Sequence, residues 1–316
     1  MIYSGVGGPE VITAGEREDP VPGRGQVLVS VSFAGINPAD VLQREGRYIV
    51  PAGGPAGIAG PEVAGSVLSV GVGVTRWKRG DRVFGLVNSG GLADLVVADA
   101  EHLAAVPPQL DEREAAAVPE VFITAHDAIR KGELKDGGRL VVTGANGGVG
   151  TAAVQLGVAF GAAVHAGVRT PSVAGSVAAL GAEVLAPDKL LGRVIELGGA
   201  DVILELIGAS AIGSDVEALA PNGAVVVIGV PTGAYAAFSV HTLMSRRARI
   251  IGTVLRSRAQ IEKTETVHAF ESNVVPKLAA GKVRPVIDSV FPYTEAVAAF
   301  ARLAHPGKFG KVLLSF

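Results

Sequence analysis

The stretch that most limits what this chain can become runs from Arg139 to Gly161. There an apolar segment, Arg139-Leu140-Val141-Val142-Thr143, leads into Gly144-Ala145-Asn146-Gly147-Gly148-Val149-Gly150 and then into a helix-forming sequence. Strand, glycine-rich turn and helix in that order make up a dinucleotide-binding βαβ unit. The glycines have a mechanical purpose: the backbone turns sharply, approaches a pyrophosphate with no Cβ between, and lets the helix pack close to the strand. The helix N-terminus adds N–H groups without intrahelical partners and the positive end of the peptide dipoles. Against G-x-G-x-x-G, Ala145 replaces the first glycine, while Gly147 and Gly150 hold.

The flanking sequence fits that unit. Strand and helix patterns alternate through Ala163–Val168 (β), Ser172–Leu180 (α), Val184–Leu185 (β), Leu190–Leu197 (α), Asp201–Glu205 (β), Ala211–Leu219 (α) and Gly223–Ile228 (β), with a further strand near Arg249–Val254. This texture predicts a doubly wound parallel sheet of the Rossmann kind, an α/β fold, and its continuous apolar strands suit a sheet covered on both faces. The first third reads differently. Gln26–Phe33 alternates apolar and polar residues, and short strands follow at Val67–Val70, Arg82–Leu86 and Leu92–Val97 between frequent glycines and prolines. That spacing predicts a small barrel or sandwich. After Val254 come a helix near Lys263–Ala280, a strand at Val286–Phe291, a helix at Thr294–Leu303 and a closing strand at Lys311–Ser315. The expected organisation is a β-rich domain over 1–116 rejoined by 259–316, with the dinucleotide domain over 117–258.

Composition removes whole classes of chemistry. The 316 residues include no cysteine, so disulfides, thiolate nucleophiles and thiolate metal sites are ruled out. The six histidines (His102, His126, His165, His241, His268, His305) show no metal-ligand spacing and read as surface or core residues. Net charge is −2, which leaves no footprint for nucleic acid or an anionic membrane. The one basic concentration, Arg246, Arg247, Arg249, Arg256 and Arg258, reads as a solvated or interface face. No apolar stretch reaches the ~20 residues of a membrane helix, and Met1–Pro9 lacks the pattern of a secretory signal, so a cytoplasmic protein is expected.

The cofactor can be read further. An NAD site places an acidic residue about 20 residues beyond the glycines to hold the ribose hydroxyls. Here that position is Arg169, after Val168, and no acidic residue lies between Gly161 and Leu180. An arginine suits a 2′-phosphate, so NADPH is expected.

Several strings together carry a family resemblance: Gly7-Gly8-Pro9-Glu10-Val11, Ala34-Gly35-Ile36-Asn37-Pro38-Ala39-Asp40, Gly80-Asp81-Arg82-Val83, Ala145–Gly150, Gly252-Thr253-Val254-Leu255-Arg256-Ser257-Arg258 and Gly310-Lys311-Val312-Leu313. In order and spacing the chain resembles the zinc-independent quinone oxidoreductase branch of the medium-chain dehydrogenase/reductase superfamily. The resemblance implies a GroES-like β-barrel catalytic domain beside the Rossmann domain. In zinc-bearing relatives a cysteine, a histidine or glutamate, and a second cysteine hold the metal. The matching positions are Asn37, the Gly60-Pro61-Glu62 segment and the Pro119-Glu120-Val121 segment, where only Glu62 survives, and one carboxylate is no zinc site. No metal is expected.

The resemblance also implies cofactor contacts from Thr124, Gly144, Asn146, Gly147, Gly148, Val149, Arg169, Gly229, Val230, Leu255 and Lys308. It implies Asn37 beside the nicotinamide, and Tyr48 as a proton donor or pocket lining. Leu92 and Leu95 replace tyrosines of many relatives and would give an apolar pocket wall. Three functions remain open on the sequence: an NADPH-dependent quinone or α,β-unsaturated carbonyl reductase, an enoyl-thioester reductase of fatty-acid or polyketide synthesis, and an NADPH-binding sensor or structural protein. The partner expected is a small-molecule quinone or enone, with a homodimer formed through the edge strand near Ala248–Val254.

Overall fold

The computed structural model describes residues 1–48, 54–55, 57–229, 231 and 233–316. The chain divides into two compact units. One comprises Met1–Ile123, Leu255–His305 and Lys311–Phe316; the other comprises Thr124–Val254 and Pro306–Gly310.

The first unit opens with a short ribbon in which β1 (Ile2–Tyr3) pairs antiparallel with β2 (Ile12–Thr13). β3 (Gln26–Ile36) starts where the alternation predicted it, with Val27, Val29 and Val31 buried and Gln26, Leu28 and Ser30 half-buried. It runs on to Ile36 because Ala34, Gly35 and Ile36 are all buried. Helix α1 (Pro38–Arg44) was hidden in the sequence by its flanking glycines and prolines. Pro38 opens it, where a missing N–H costs nothing, and the Asp40 carboxylate accepts the Asn37 N–H at 2.8 Å. Next come β4 (Glu62–Val70), β5 (Arg82–Leu86), β6 (Leu95–Asp99), β7 (Leu103–Ala105), α2 (Glu112–Ala116) and α3 (Pro119–Gly132). The boundary between the units falls inside α3.

The second unit alternates as predicted: β8 (Arg139–Val142), α4 (Gly148–Ala159), β9 (Ala163–Gly167), α5 (Pro171–Ala178), β10 (Glu183–Leu185), α6 (Pro187–Glu196), β11 (Ala200–Glu205), α7 (Ile212–Ala218), β12 (Leu219–Val227), α8 (Val240–Ser245) and β13 (Arg249–Gly252). Its six strands are all parallel, in the order β10-β9-β8-β11-β12-β13. Helices on both faces explain why Leu140–Val142 and Val202–Leu204 are buried without alternation. The order reverses between β8 and β11, and ligands of open α/β sheets bind beyond the strand ends at such a reversal.

The chain then returns to the first unit through α9 (Gln260–Asn273), α10 (Val275–Ala279), β14 (Ile287–Pro292), α11 (Ala296–Ala304) and β15 (Lys311–Ser315). The single helix expected over 263–280 is two, because Pro276 has no N–H to continue the ladder and its ring opposes the carbonyl four residues back. β14, β15, β3, β4, β5 and β7 form one sheet, with β6 also on β3, over a core that includes Val29, Ile36, Val63, Val83, Leu92, Leu103, Phe300 and Leu314. Leu92 is therefore a core residue rather than the pocket wall expected of it. Compared with the expected boundaries, the second unit begins later and ends earlier, and it also takes back Pro306–Gly310, which bridges Gly147 through Gly310.

Candidate active site

The cradle between β8 and α4 is shaped by what its glycines leave out. Gly144 sits at φ +61°, a left-handed conformation that glycine adopts freely. A Cβ on Gly150 would stand 2.6 Å from both Ala145 Cα and the Gly144 carbonyl oxygen, so α4 packs on the turn only with glycine there. Gly147 differs. A Cβ there would meet only the Gly144 oxygen, at 3.6 Å, and Gly147 caps α4 without a side chain. The space beside the α4 N-terminus is thus open at Gly147, and N–H groups of a helix's first turn, which lack intrahelical partners, suit a pyrophosphate.

The tail completes this side. Asn146 Nδ2 donates to the Lys308 carbonyl at 2.8 Å, the Gly310 N–H donates to the Asn146 carbonyl at 2.9 Å, and Lys308 Nζ donates to the Gly310 carbonyl at 3.2 Å. The Asn146 amide therefore binds the tail. Gly148 and Val149 are half-buried in the first turn of α4, and Arg169 is exposed just past β9. Gly229, beyond β12, lies near the Leu206 carbonyl and Pro231; Val230 is outside the described residues. Thr124 has a buried hydroxyl with no partner among the described residues. An orphaned hydroxyl and a glycine cradle that a Cβ would fill both fit a nicotinamide dinucleotide.

The first unit gathers a charged cluster that the sequence only partly revealed. Glu62 is fully buried. Its Oε1 accepts from Lys311 Nζ at 2.5 Å and Asn37 Nδ2 at 2.8 Å, and its Oε2 accepts the Glu120 N–H at 2.8 Å. Lys311 also donates to Asn37 Oδ1 at 2.5 Å and to the Ile36 carbonyl at 3.1 Å. Asn37 Nδ2 further contacts the Gly35 carbonyl at 3.3 Å, so its amide is engaged on every side within the protein. The one residue matching a metal-binding position is thus saturated by donors, with an ammonium against it. Among the described residues, no group of three or more acidic or histidine side chains could hold an ion. These residues do not fit a catalytic zinc.

Beside them, burial raises the Asp40 carboxyl to about 6, against the opposing charge of Arg256 and N–H bonds from Asn37 and Gly60. The Glu120 carboxyl is raised to about 7, first by burial and then by the charge of Glu62. Tyr48 is half-buried, and the Arg256 guanidinium lies 5.4 Å from its ring centre. Burial and the Glu120 charge push the phenol above its ordinary range, and Arg256 opposes them. Arg256 is itself only 5 % exposed; Nη2 donates to Gln43 Oε1 at 2.5 Å, whereas Nε and Nη1 have no partner among the described residues. Lys263 is buried and donates to Asn88 Oδ1 at 3.0 Å.

The basic run, expected to be a solvated or interface face, is committed in part. Arg246 binds the Leu219 carbonyl, Arg249 binds Glu133, and Arg256 is buried at the cluster. Sequence reasoning also passed over Glu120, Lys263 and Lys311. Leu255, expected near the cofactor, is buried where the chain re-enters the first unit.

A parallel sheet with a glycine cradle, in a chain whose other unit is built on a seven-stranded sheet and rejoined by the chain's end, defines a medium-chain dehydrogenase/reductase. Family models agree: the alcohol dehydrogenase GroES-like domain matches residues 23–108, and the zinc-binding dehydrogenase model matches 148–271. The human quinone oxidoreductase is 31% identical over 98% of this chain and 94% of its own length. The solved quinone oxidoreductase of Pseudomonas syringae superposes with a TM-score of 0.88 at 27% identity, covering 100% of this chain and 98% of that one. The pikromycin polyketide synthase component PikAII of Streptomyces venezuelae is 34% identical over 98% of this chain, which covers only 8% of that protein. The chain belongs to the quinone oxidoreductase branch of the superfamily and is an oxidoreductase that takes a nicotinamide cofactor.

Proposed function

We propose that the protein reduces quinones and α,β-unsaturated carbonyls with NADPH, by direct hydride transfer and without zinc. The observation that carries this reading is the Lys311 ammonium seated on Glu62, where a zinc-dependent relative would keep its ligands open to the metal. Without a Lewis acid to stabilise an alkoxide, the acceptor must already be electron-poor, as quinones and enones are. NADPH supplies the hydride when bound. The α4 N-terminus, with Gly147 and Gly150, holds the pyrophosphate, and Arg169 takes the 2′-phosphate. Thr124, Gly229 and Leu255 are assigned to the cofactor on the family resemblance.

Tyr48 is the proton donor. Its phenol stays protonated through neutral pH, so it can hydrogen-bond the oxygen that gains charge and then release its proton. Arg256 against the ring offsets the negative charge the phenol then carries. Asn37 is a positioning residue, because its amide is engaged by Glu62, Lys311 and Gly35.

The likeness to a polyketide synthase component supports a second reading, reduction of enoyl thioesters, in which Tyr48 would serve equally. A homodimer through β13, the edge strand of the parallel sheet, and a cytoplasmic location belong to the same proposal. Among the described residues no helix is long and apolar enough to cross a membrane.

The test is cofactor oxidation over a panel of quinones, enones and enoyl thioesters, with NADH beside NADPH. Turnover confined to thioesters selects the second reading. No turnover on any acceptor, with NADPH still bound, leaves a binding protein.

A further inference from the structure

Two buried carboxyls in the parallel-sheet unit take no part in the chemistry above. Glu205 ends β11 with no exposure, and Asp215, on α7, is 1 % exposed. Glu205 Oε1 accepts the N–H groups of Ile207 at 2.5 Å and Gly208 at 2.8 Å, closing the turn that follows β11. Glu205 Oε2 and both Asp215 oxygens have no donor among the described residues, although the two carboxyls lie within hydrogen-bonding reach of each other.

Among the described residues, no cation faces the pair. α6 turns Leu190, Leu191 and Val194 toward this core, α8 turns Leu243, and β12 turns Leu219, Val225 and Val227. The charged residues of α6 (Asp188, Lys189, Arg193 and Glu196) are on its solvent side, as are Glu217 of α7 and His241 of α8. Asp201, at the far end of β11, is engaged by the Arg139 N–H. Acceptor against acceptor in a dry interior is repulsive, and one proton turns the same contact into a charge-assisted O–H···O bond.

We propose that Glu205 and Asp215 share one proton, and that this bond fixes the Leu206–Gly208 turn as a wall of the cofactor cradle. The turn is placed for that role. A Cβ on Gly144 would meet Leu206 Cβ at 3.6 Å and Ile207 Cγ1 at 3.5 Å, and the Leu206 N–H donates to Thr143 Oγ1 at 2.9 Å. These residues sit where the strand order reverses, so Glu205 is a positioning residue for the cofactor. Burial and the Glu205 charge raise the Asp215 carboxyl well above its ordinary range. The sign follows. Folded Asp215 keeps a proton that the unfolded chain loses near pH 4, so this pair's contribution to stability falls as pH rises from there. Once the folded pair loses its proton, two buried charges repel and the turn loosens. The cofactor half of the inference rests on the NADPH reading; the shared proton does not.

Asp215→Asn puts an N–H where the proton would be, at every pH. Thermal midpoints from pH 5 to 9.5 and NADPH dissociation constants from fluorescence are measured for both proteins. Wild-type stability should fall with pH more steeply than that of the variant. Wild-type NADPH affinity should weaken by about tenfold between pH 7 and 9.5, and that of the variant by less than about twofold. Parallel midpoint curves overturn the shared proton. Divergent midpoints with parallel affinity curves overturn the link to the turn. Failure to bind NADPH at any pH removes the cofactor half together with the NADPH reading, and the midpoints still decide the proton. If Asp215→Asn does not fold, Glu205→Gln gives the same comparison, since its amide donates to Asp215 while its oxygen keeps the turn.

Discussion

Gly147 and Gly150 stand three residues apart in one cradle, yet the structure assigns them separable duties. At Gly150 a methyl group would lie 2.6 to 2.7 Å from backbone atoms of Gly144 and Ala145, which cannot yield as a side-chain tip would. Overpacking of this kind costs about 1–3 kcal/mol. With about 2–4 °C per kcal/mol for a domain of moderate size, Gly150→Ala should lower the melting temperature by about 2–12 °C. At Gly147 the nearest atom to the added methyl is 3.6 Å away, an ordinary contact, and φ is −76°, which alanine adopts readily. Gly147→Ala loses about 0.5–1 kcal/mol as an N-cap and recovers about 0.4–1 kcal/mol from the less flexible unfolded chain, so its melting temperature should be nearly unchanged. In the proposed site, however, the methyl lies beside the first-turn N–H groups that would hold the pyrophosphate. Losing one charge-assisted hydrogen bond to phosphate, worth about 1.5–3 kcal/mol, weakens NADPH binding by about 10- to 150-fold. Differential scanning calorimetry and fluorescence titration measure the two quantities separately. Unchanged NADPH affinity in Gly147→Ala would refute the placement of the pyrophosphate, and a large drop in its melting temperature would refute the claim that the space beside it is open.

Three further substitutions examine the rest of the proposed site. Arg169→Ala should cost about 1.5–3 kcal/mol of NADPH affinity and leave NADH little changed; equal losses would remove the 2′-phosphate contact. Tyr48→Phe should lower kcat on enones by about 10²- to 10³-fold and affect quinones less, because solvent can protonate a reduced quinone. The raised phenol also predicts an enone rate that holds through neutral pH and declines only in alkali, and unchanged kcat on both substrates would remove the acid. Lys311→Met would leave the fully buried Glu62 carboxylate without its cation, which should cost about 3–5 kcal/mol in denaturant unfolding. A loss below about 1 kcal/mol would show that the ammonium does little for Glu62.

How much was legible followed from how local each signal is. β3, β5, β8, β11 and β15 could be read because alternation, or an unbroken apolar run, states within a few residues how many faces are covered. α1 could not, since it starts with a proline and lies among glycines, and its first turn is set by a backbone bond to Asp40 rather than by a periodic stripe. The break between α9 and α10 was readable in principle from Pro276 but was masked by continuous helical composition on both sides. Leu92 shows the opposite failure. Its alignment with pocket tyrosines suggested a wall, whereas full burial in the cluster that includes Ala59 and Val63 places it in the core.

The site divides along the same line. The cradle is a sequence-local object, so its glycines and the turn they make can be read directly from the sequence. The cluster at Glu62 is not. Its cation comes from Lys311 and its amide from Asn37, nearly the whole chain apart, and only the antiparallel pairing of β15 with β3 brings them together. Lys311 looked like an ordinary strand residue, and Arg256 looked like one member of a solvated or interface face. What marks both in the structure is a charged group kept out of water, a costly arrangement unless an opposite charge is at hand or forms during turnover. For Lys311 that charge is the Glu62 carboxylate. For Arg256, with Nε and Nη1 unpartnered among the described residues, the Asp40 and Glu120 carboxyls are within electrostatic reach, and the proposed mechanism adds the phenolate left on Tyr48 when the proton departs.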